Sequence, residues 1–506
     1  MHIIKSICHK FEERNIKYCH FKSNQHLDES FNGDTDFDIL IDHNKKTEVD
    51  IVLSQFDCKR FTPVGIGIYP GVEDWYAFDP VTGKMFHIHL HYQLATGKQY
   101  VKEYILPWNE IVLNNAVKDE KYNIYISHPN VEIILLITRM IVKSKLRDSI
   151  KAKIGLYNTH SSLQTEYEYL KNKIDIEDLN NYLSSMYSPK EAILLLEIIN
   201  NNIITSQNFK KLSKIVRKSF RDDKRMGSLK AFSLANFYKL FRIYRRIERK
   251  LGKFNMFRKA TVSGGKIICF IGVDGSGKST LTTEINRWLR KGKVENTKVY
   301  MGSGDGKKSL FPKIIGTMRK KQQKRKNMKT QSLGDNKPKK ENISILFTKD
   351  PLKYIKNYIK ALEMYSIAKS NRKKIIKMHA YRLNGGVSIV DRYPQLEQVG
   401  INDGLKLKEY ADKLNSKILR RLAIREKNIL QIVNDIYPDF VFRLNISAEV
   451  SLQRKPDENT DYDYFNKKAQ LVKALKYSNS VLYDIDAEKD YDKVLLEIKK
   501  IIWNNF

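Results

Sequence analysis

Two short stretches of the chain concentrate side chains suited to phosphate chemistry. GVDGSGKS, residues 272–279, fits G-x-x-x-x-G-K-[ST] with Gly272, Gly277, Lys278 and Ser279 at the fixed positions. Glycines at that spacing let backbone N–H groups turn inward as a nest for an anion, and the helix that follows adds its positive end. Gly275 and Ser276 belong to the nest and Thr280 to the opening of the helix. Lys278 can reach the β- and γ-phosphates of a nucleotide such as ATP, and Ser279 can ligate Mg²⁺. The second stretch, TDFDILID (35–42), spaces Asp36 and Asp38 so that strand alternation puts both carboxylates on one face while Phe37 and Ile39 turn to the core. Two such carboxylates can hold the Mg²⁺ ions of a nucleotidyl transfer.

Each stretch needs elements to hold it. The apolar strand KIICFIGV precedes the glycine-rich loop, and STLTTEINRWL reads as the helix after it. A later strand, in GGVSIVDRYPQ (385–395), ends in Asp391, a carboxylate able to hold Mg²⁺ through water. Arg392 beside it offers a planar fork for a phosphate or an acceptor anion. In FHIHLHYQL, His87, His89 and His91 share one strand face, with Ile88 and Leu90 on the other. Histidine suits Zn²⁺ or Mn²⁺ better than Mg²⁺.

Pattern divides the 506 residues into three regions. Residues 1–125 alternate short strands with turns, and 126–257 are helical throughout. A linker over 258–265 leads to 266–506, where strands alternate with helices as in a parallel α/β sheet. The net charge of +34 is uneven: 307–340 carries 13 Lys/Arg against Asp335 alone, and 221–259 carries 13 against three acids. Any polyanion contact is therefore expected to be local. The insertion 307–340 has a single aromatic residue, Phe311, which argues against stacking on single-stranded nucleic acid. In the other basic segment, Phe237, Leu240, Phe241, Tyr244, Ile247, Leu251 and Phe254 form one helical stripe among arginines and lysines. Such a helix packs its stripe in a bundle or rests on an anionic membrane surface; packing is the plainer expectation. Four scattered cysteines suggest neither disulfides nor a zinc site and suit a reducing cytoplasm. The opening MHIIKSICHKFEERN lacks the apolar stretch of a secretory signal, and no run is long enough to cross a bilayer.

On GVDGSGKST, DRYP and DFVFRLNISAEVSLQRKPDE, residues 266–506 resemble the thymidylate kinase-like group of P-loop kinases. The resemblance implies that Arg454 and Lys455 start a lid closing on ATP. It implies that Asp274 faces the acceptor, and that Asp391 and Arg392 serve as a Mg²⁺- and phosphate-side pair. Three features depart from the family. SGDGKKS replaces the acceptor-binding loop, QRKPDENTDYDYF lacks the lid's arginine and glycine pattern, and Pro394 follows DRY. Asp305 either serves as the acceptor's base or closes a surface turn. HFKSNQHLDESFNGDTDFDILID resembles the opening of the nucleotidyltransferase fold shared by DNA polymerase β-like enzymes, with Ser23 as the small residue before the Asp36–Asp38 pair. That family adds a third carboxylate on a later strand, where this chain offers histidines. The domain is then degenerate and substrate-binding, or catalytic with another metal, or purely structural. The combination resembles thymidylate kinase homologues found among bacterial surface-polysaccharide genes.

The expected architecture is therefore α/β, with a P-loop parallel-sheet kinase domain at the C-terminus, an α+β nucleotidyltransferase-like domain at the N-terminus and a helical region between. The leading expectation is a cytoplasmic ATP- and Mg²⁺-dependent phosphotransferase acting on a small nucleotide or sugar intermediate. Its site would comprise Lys278, Asp391, Arg392, Arg454 and Asp274. A nucleotidyltransferase centred on Asp36 and Asp38 with an ATP-gated regulator is the first alternative. A nucleotide-gated polyanion-binding protein is the second. Contact with an anionic glycan or the inner membrane face through the basic segments is expected ahead of nucleic acid.

Overall fold

The computed structural model describes residues 2–157, 161–200, 205–251, 256, 258–302, 351–398, 404–413, 415–454 and 462–506. Lys455, Asp305, Phe254 and the basic insertion 307–340 lie outside the described residues. The fold is mixed α/β, built on two sheets with helices between and around them.

The first sheet is eight-stranded and mixed. Its strands are β1 (Tyr18–His20), β2 (Phe37–Ile41), β3 (Lys59–Pro63), β4 (Val72–Phe78) and β5 (Met85–His91), followed beyond the small hairpin β6 (Leu94–Thr96) and β7 (Tyr104–Leu106) by β8 (Val117–Lys118), β9 (Tyr125–Ile126) and β10 (Lys259–Thr261). They lie in the order β10-β3-β4-β5-β2-β1-β9-β8. β2 runs parallel to β5, with Asp38 opposite His89, and β4 runs antiparallel to β5, with Asp74 opposite the same His89. The sequence-based linker 258–265 contains β10. After the helical region the chain returns and caps the edge of the first sheet, pairing Ala260 with Thr62.

The helical region starts with Pro129–Lys143, buried on nearly every side, with Pro129 at its first turn and His128 as its cap. Around it pack Ile176–Met186, Pro189–Asn200 and Ser206–Ser219, through Leu183, Leu195, Phe209 and Leu212. The last helix, Ser228–Lys250, behaves differently. Its stripe does not pack in a bundle: Phe237, Leu240, Tyr244, Ile247 and Leu251 are exposed, and Leu240 keeps 66% of its surface. The cationic side faces inward, because Arg249 donates to Glu295, a fully buried carboxylate, while Lys239, Arg242 and Arg246 line a cleft.

The second sheet is parallel throughout, with β11 (Lys266–Gly272), β12 (Asn296–Tyr300), β13 (Val387–Asp391), β14 (Phe440–Asn445) and β15 (Val481–Asp486) in the order β12-β13-β11-β14-β15. Its central strands read as continuous apolar runs because both faces are covered. Phe270 of β11 lies level with Asp391 of β13, so the glycine-rich loop and Asp391 leave the sheet side by side at its carboxyl edge. Open parallel sheets take their ligands at that edge.

The two sheets share a core. Trp503, on the helix Tyr491–Asn504, stacks on Phe78 of β4 at 5.5 Å and donates its indole N–H to the Asp57 carbonyl at 3.1 Å. Trp503→Ala is expected to cost about 3–5 kcal/mol in denaturant unfolding. A loss below about 1 kcal/mol would mean that the sheets are stabilised independently.

Candidate functional site

β11 ends at Gly272, where a side chain would not fit. A Cβ there would come within 2.5 Å of Ser276 Oγ and 2.8 Å of the Leu444 carbonyl. Gly277, at φ +85°, turns the chain into the helix Lys278–Lys291. Lys278 is buried and folds back, donating to the Val273 carbonyl at 2.6 Å and to Ser276 Oγ at 3.3 Å. Burial and then the Arg392 charge pull its ammonium down to about 8, against the opposing fields of Asp274 and Asp391.

The hydroxyl of Ser279 donates to Asp391 Oδ2 at 2.7 Å. Asp391 is buried, and its other oxygen, Oδ1, has no hydrogen-bond partner among the described residues. A buried carboxylate oxygen with no donor, beside a serine hydroxyl, is an oxygen donor set that fits a hard cation such as Mg²⁺. Arg392 sits in the left-handed region at φ +69° and donates to Asp274 Oδ1 at 2.7 Å. Lys468, on the helix Tyr462–Lys473, donates to Asp274 Oδ2 at 2.5 Å. Burial pushes the Asp274 carboxyl up. The Lys468 hydrogen bond and the charges of Lys468, Arg392 and Lys278 outweigh it and hold the group at about 2. Arg454 donates to the Ala487 carbonyl at 3.1 Å and to that of Gly275 at 3.4 Å, so it braces the loop from behind. Lys468 carried no signal in the sequence, being one of several lysines on an amphipathic helix.

The first sheet gathers a second cluster. Strand register sets Asp38 and Asp74 on either side of His89. Nδ1 of His89 is 2.9 Å and Nε2 of His91 3.3 Å from Asp38 Oδ1. His87 lies between Asp36 and Asp74, 2.7 and 2.8 Å from them. Asp74 is thus a third carboxylate in the cluster, supplied by β4 and not by the histidine strand, a residue the sequence reading missed. A polar signal was present: in VEDWYAF two adjacent acids, Glu73 and Asp74, sit in a run of otherwise apolar and aromatic residues. Ser23, at φ +59°, donates its hydroxyl to Glu166 at 3.2 Å.

Each carboxylate meets an ammonium. Lys22 is 2.7 Å from Asp38, Lys259 2.8 Å from Asp74 and Lys293 2.7 Å from Asp36. Burial opposes ionisation of all three acids, but the adjoining histidines and lysines hold Asp36, Asp38 and Asp74 below the usual carboxylate range. Burial keeps His89 and His91 below the usual histidine range, hence neutral at pH 7. The ligand atoms of Asp38, His89 and His91 lie within 4.8 Å of one another, a nitrogen-rich set that fits Zn²⁺ or Mn²⁺ better than Mg²⁺.

One helix touches both clusters. Lys278–Lys291 begins at the glycine-rich loop and spans about 21 Å at 1.5 Å per residue. At its far end Lys291 pairs with Asp34 at 2.9 Å, and Lys293 with Asp36.

No family model matches the chain. Over 240 residues, 47% of this chain and 86% of the relative, it is 28% identical to the Uncharacterized ATP-binding protein YghR of Escherichia coli K12. Over 235 residues, 46% of this chain and 89% of the relative, it is 24% identical to the Uncharacterized ATP-binding protein YghS of the same strain. No described helix is long and apolar enough to cross a membrane.

The Asp274 ion pairs make an acid-side prediction. Its folded value of about 2 lies below the ordinary aspartate value of 3.8, so its contribution is complete well above that ordinary value and lost as pH falls toward 2. That contribution is about 2 kcal/mol. Asp274→Asn is expected to lower the unfolding midpoint at pH 6, with the gap to wild type closing as pH falls toward 2. A gap independent of pH would assign the loss to packing alone.

Proposed function

We propose that the chain is an ATP-dependent phosphotransferase whose reaction centre is the carboxyl edge of the second sheet. The observation that carries this reading is the Ser279–Asp391 pair at 2.7 Å, with the unpartnered Oδ1 of Asp391 beside it. The names of the two E. coli relatives add support for ATP as the nucleotide. The finer assignment is a P-loop kinase similar to the thymidylate kinase group.

Ser279 and Asp391 would hold Mg²⁺, which when bound neutralises charge on the nucleotide phosphates. Gly272, Gly275, Ser276, Gly277 and Thr280 form and follow the loop whose N–H groups would cradle those phosphates. Lys278 would leave the Val273 carbonyl for the migrating phosphoryl group. Arg392 and Lys468, both held on Asp274, stand ready to grip the anionic part of an acceptor or the charge that develops during transfer. Asp274 would hold them in place and face the acceptor hydroxyl. Arg454 would fix the loop through Gly275. The acceptor class is a small hydroxyl or phosphate compound, a nucleotide or a sugar intermediate, and cell-surface polysaccharide synthesis is the setting that the resemblance suggests.

Lys278→Ala is expected to lower turnover at least about a hundredfold with an unchanged unfolding midpoint. Retained ADP formation would remove the reading. Because burial and Arg392 pull Lys278 down to about 8, ATP affinity is expected to fall as pH rises past 8, where the ammonium is lost. A flat profile between pH 7 and 9.5 would show that Lys278 does not meet the phosphates.

Nucleotidyl transfer at Asp36, Asp38 and Asp74 is the second reading, favoured by the arrival of Asp74 as a third carboxylate. The products separate the two. ATP labelled at the γ-position yields labelled acceptor and ADP in the first reading, and labelled pyrophosphate in the second. Asp36→Asn is expected to leave ADP formation intact; its loss together with pyrophosphate release would move the reaction to the first sheet.

A further inference from the structure

A cleft of ≈ 1620 Å³ runs between the first sheet, the inward side of the helix Ser228–Lys250 and the second-sheet unit. Its described lining holds fifteen lysines and arginines against two carboxylates, Asp36 and Asp74. All three regions of the chain contribute, from Lys98 and Lys102 through Lys143 and Arg242 to Arg290 and Lys298. Lys98, Arg249, Lys259 and Lys293 are already paired with Glu103, Glu295, Asp74 and Asp36; the cations beyond these that share the space repel one another, and a folded chain tolerates them when an anion completes the site.

We propose that this cleft binds a multiply phosphorylated small molecule, at a site separate from the glycine-rich loop.

Four observations converge on it. The helix Ser228–Lys250 leaves an apolar stripe in solvent and turns Lys239, Arg242 and Arg246 inward, the reverse of what burial of apolar surface favours. The guanidinium of Arg242 lies over the Tyr100 ring at 5.0 Å, and its buried Nε has no hydrogen-bond partner among the described residues. Tyr100 and Lys102, both in the lining, adopt left-handed backbone at φ +70° and +50°, a cost that the packing around their loop must impose. At the deep end, burial together with the charges of Lys22 and Arg139 pulls Lys102 down to about 7. Arg139, then burial, also lowers Lys143.

The size and spread of the charge select the ligand class. One phosphate is satisfied by two or three cations, whereas this lining extends from Asp36 to Lys298, which itself donates to the Ser279 carbonyl at 3.2 Å. Several phosphates on one molecule match that spread. The two tyrosines of the lining do not offer bases a platform. Tyr100 carries Arg242, and Tyr69 carries Lys102 at 5.6 Å, so the cations occupy the ring faces that stacking would use.

Inorganic tripolyphosphate is the probe, titrated calorimetrically into the full chain carrying Lys278→Ala, which disables the loop. Retained binding is expected, weakening steeply between about 50 and 200 mM salt as ionic contacts are screened. Arg242→Gln and Lys143→Gln, on separate helices, are each expected to weaken it at least about tenfold at unchanged unfolding midpoint. Displacement by a nucleoside triphosphate or by a sugar bisphosphate then identifies the source of the phosphates. Loss of binding in Lys278→Ala, or indifference to both cleft substitutions, would overturn the proposal. Displacement by a short single-stranded RNA alone would also overturn it. ATP turnover in the Arg242→Gln chain, measured separately, reports on the loop whatever the cleft result.

Discussion

Three aspartates on one face of the first sheet stay ionised because histidines and lysines meet them, and that pairing orders much of the molecule. Withdrawing a carboxylate from water without a partner costs several kcal/mol, so each position needs its counter-charge delivered in register. The lysines come from separate places. Lys22 follows β1, Lys259 belongs to the strand that returns after the helical region, and Lys293 follows the helix of the glycine-rich loop. Charge balance in the first sheet therefore depends on the second half of the chain being docked where it is. The shared core around Phe78 and Trp503 supplies the apolar part of the same docking.

The helix Ser228–Lys250 follows from the same electrostatics. Among the described residues its arginines form ion pairs with two acids, Arg245 with Glu248 and Arg249 with Glu295. Arg249 is fixed on Glu295, which also accepts from Tyr381 and the Arg258 amide, so the helix is pinned at one end by a saturated buried acid. Its other inward cations are left facing the cleft. Turning the helix over would bury its apolar stripe but detach that anchor and strip the cleft of its charge.

Much of the loop's geometry was legible because it is local. Gly272 through Ser279 form one contiguous run in which spacing alone dictates backbone shape, and Asp391 closes a strand that only an adjacent parallel position could use. What escaped were contacts between residues far apart in the chain. Asp74 joins Asp38 through strand register across β5, and β10 joins β3 after nearly two hundred residues, a pairing that Lys259–Thr261 do not announce. Lys468 meets Asp274 only once a helix near the C-terminus has packed over the loop. The stripe of Ser228–Lys250 had the right periodicity but the wrong direction. Periodicity tells that a helix has two faces, and the charge of its surroundings decides which one turns inward.

The helix Lys278–Lys291 gives the arrangement its mechanical consequence. Its first turn carries the lysine and serine of the loop, and the turn after it places a lysine on Asp36. A helix is stiff over that length, so it fixes the spacing between the glycine-rich loop and the turn that carries Lys293. Lys298 adds a second tie, holding the Ser279 carbonyl and Thr283 from a strand that also lines the cleft. The two clusters are thus joined through one helix and the strand beside it. Lys293, just past that helix, pairs with Asp36, so the element that holds the glycine-rich loop also brings part of the counter-charge of the first sheet.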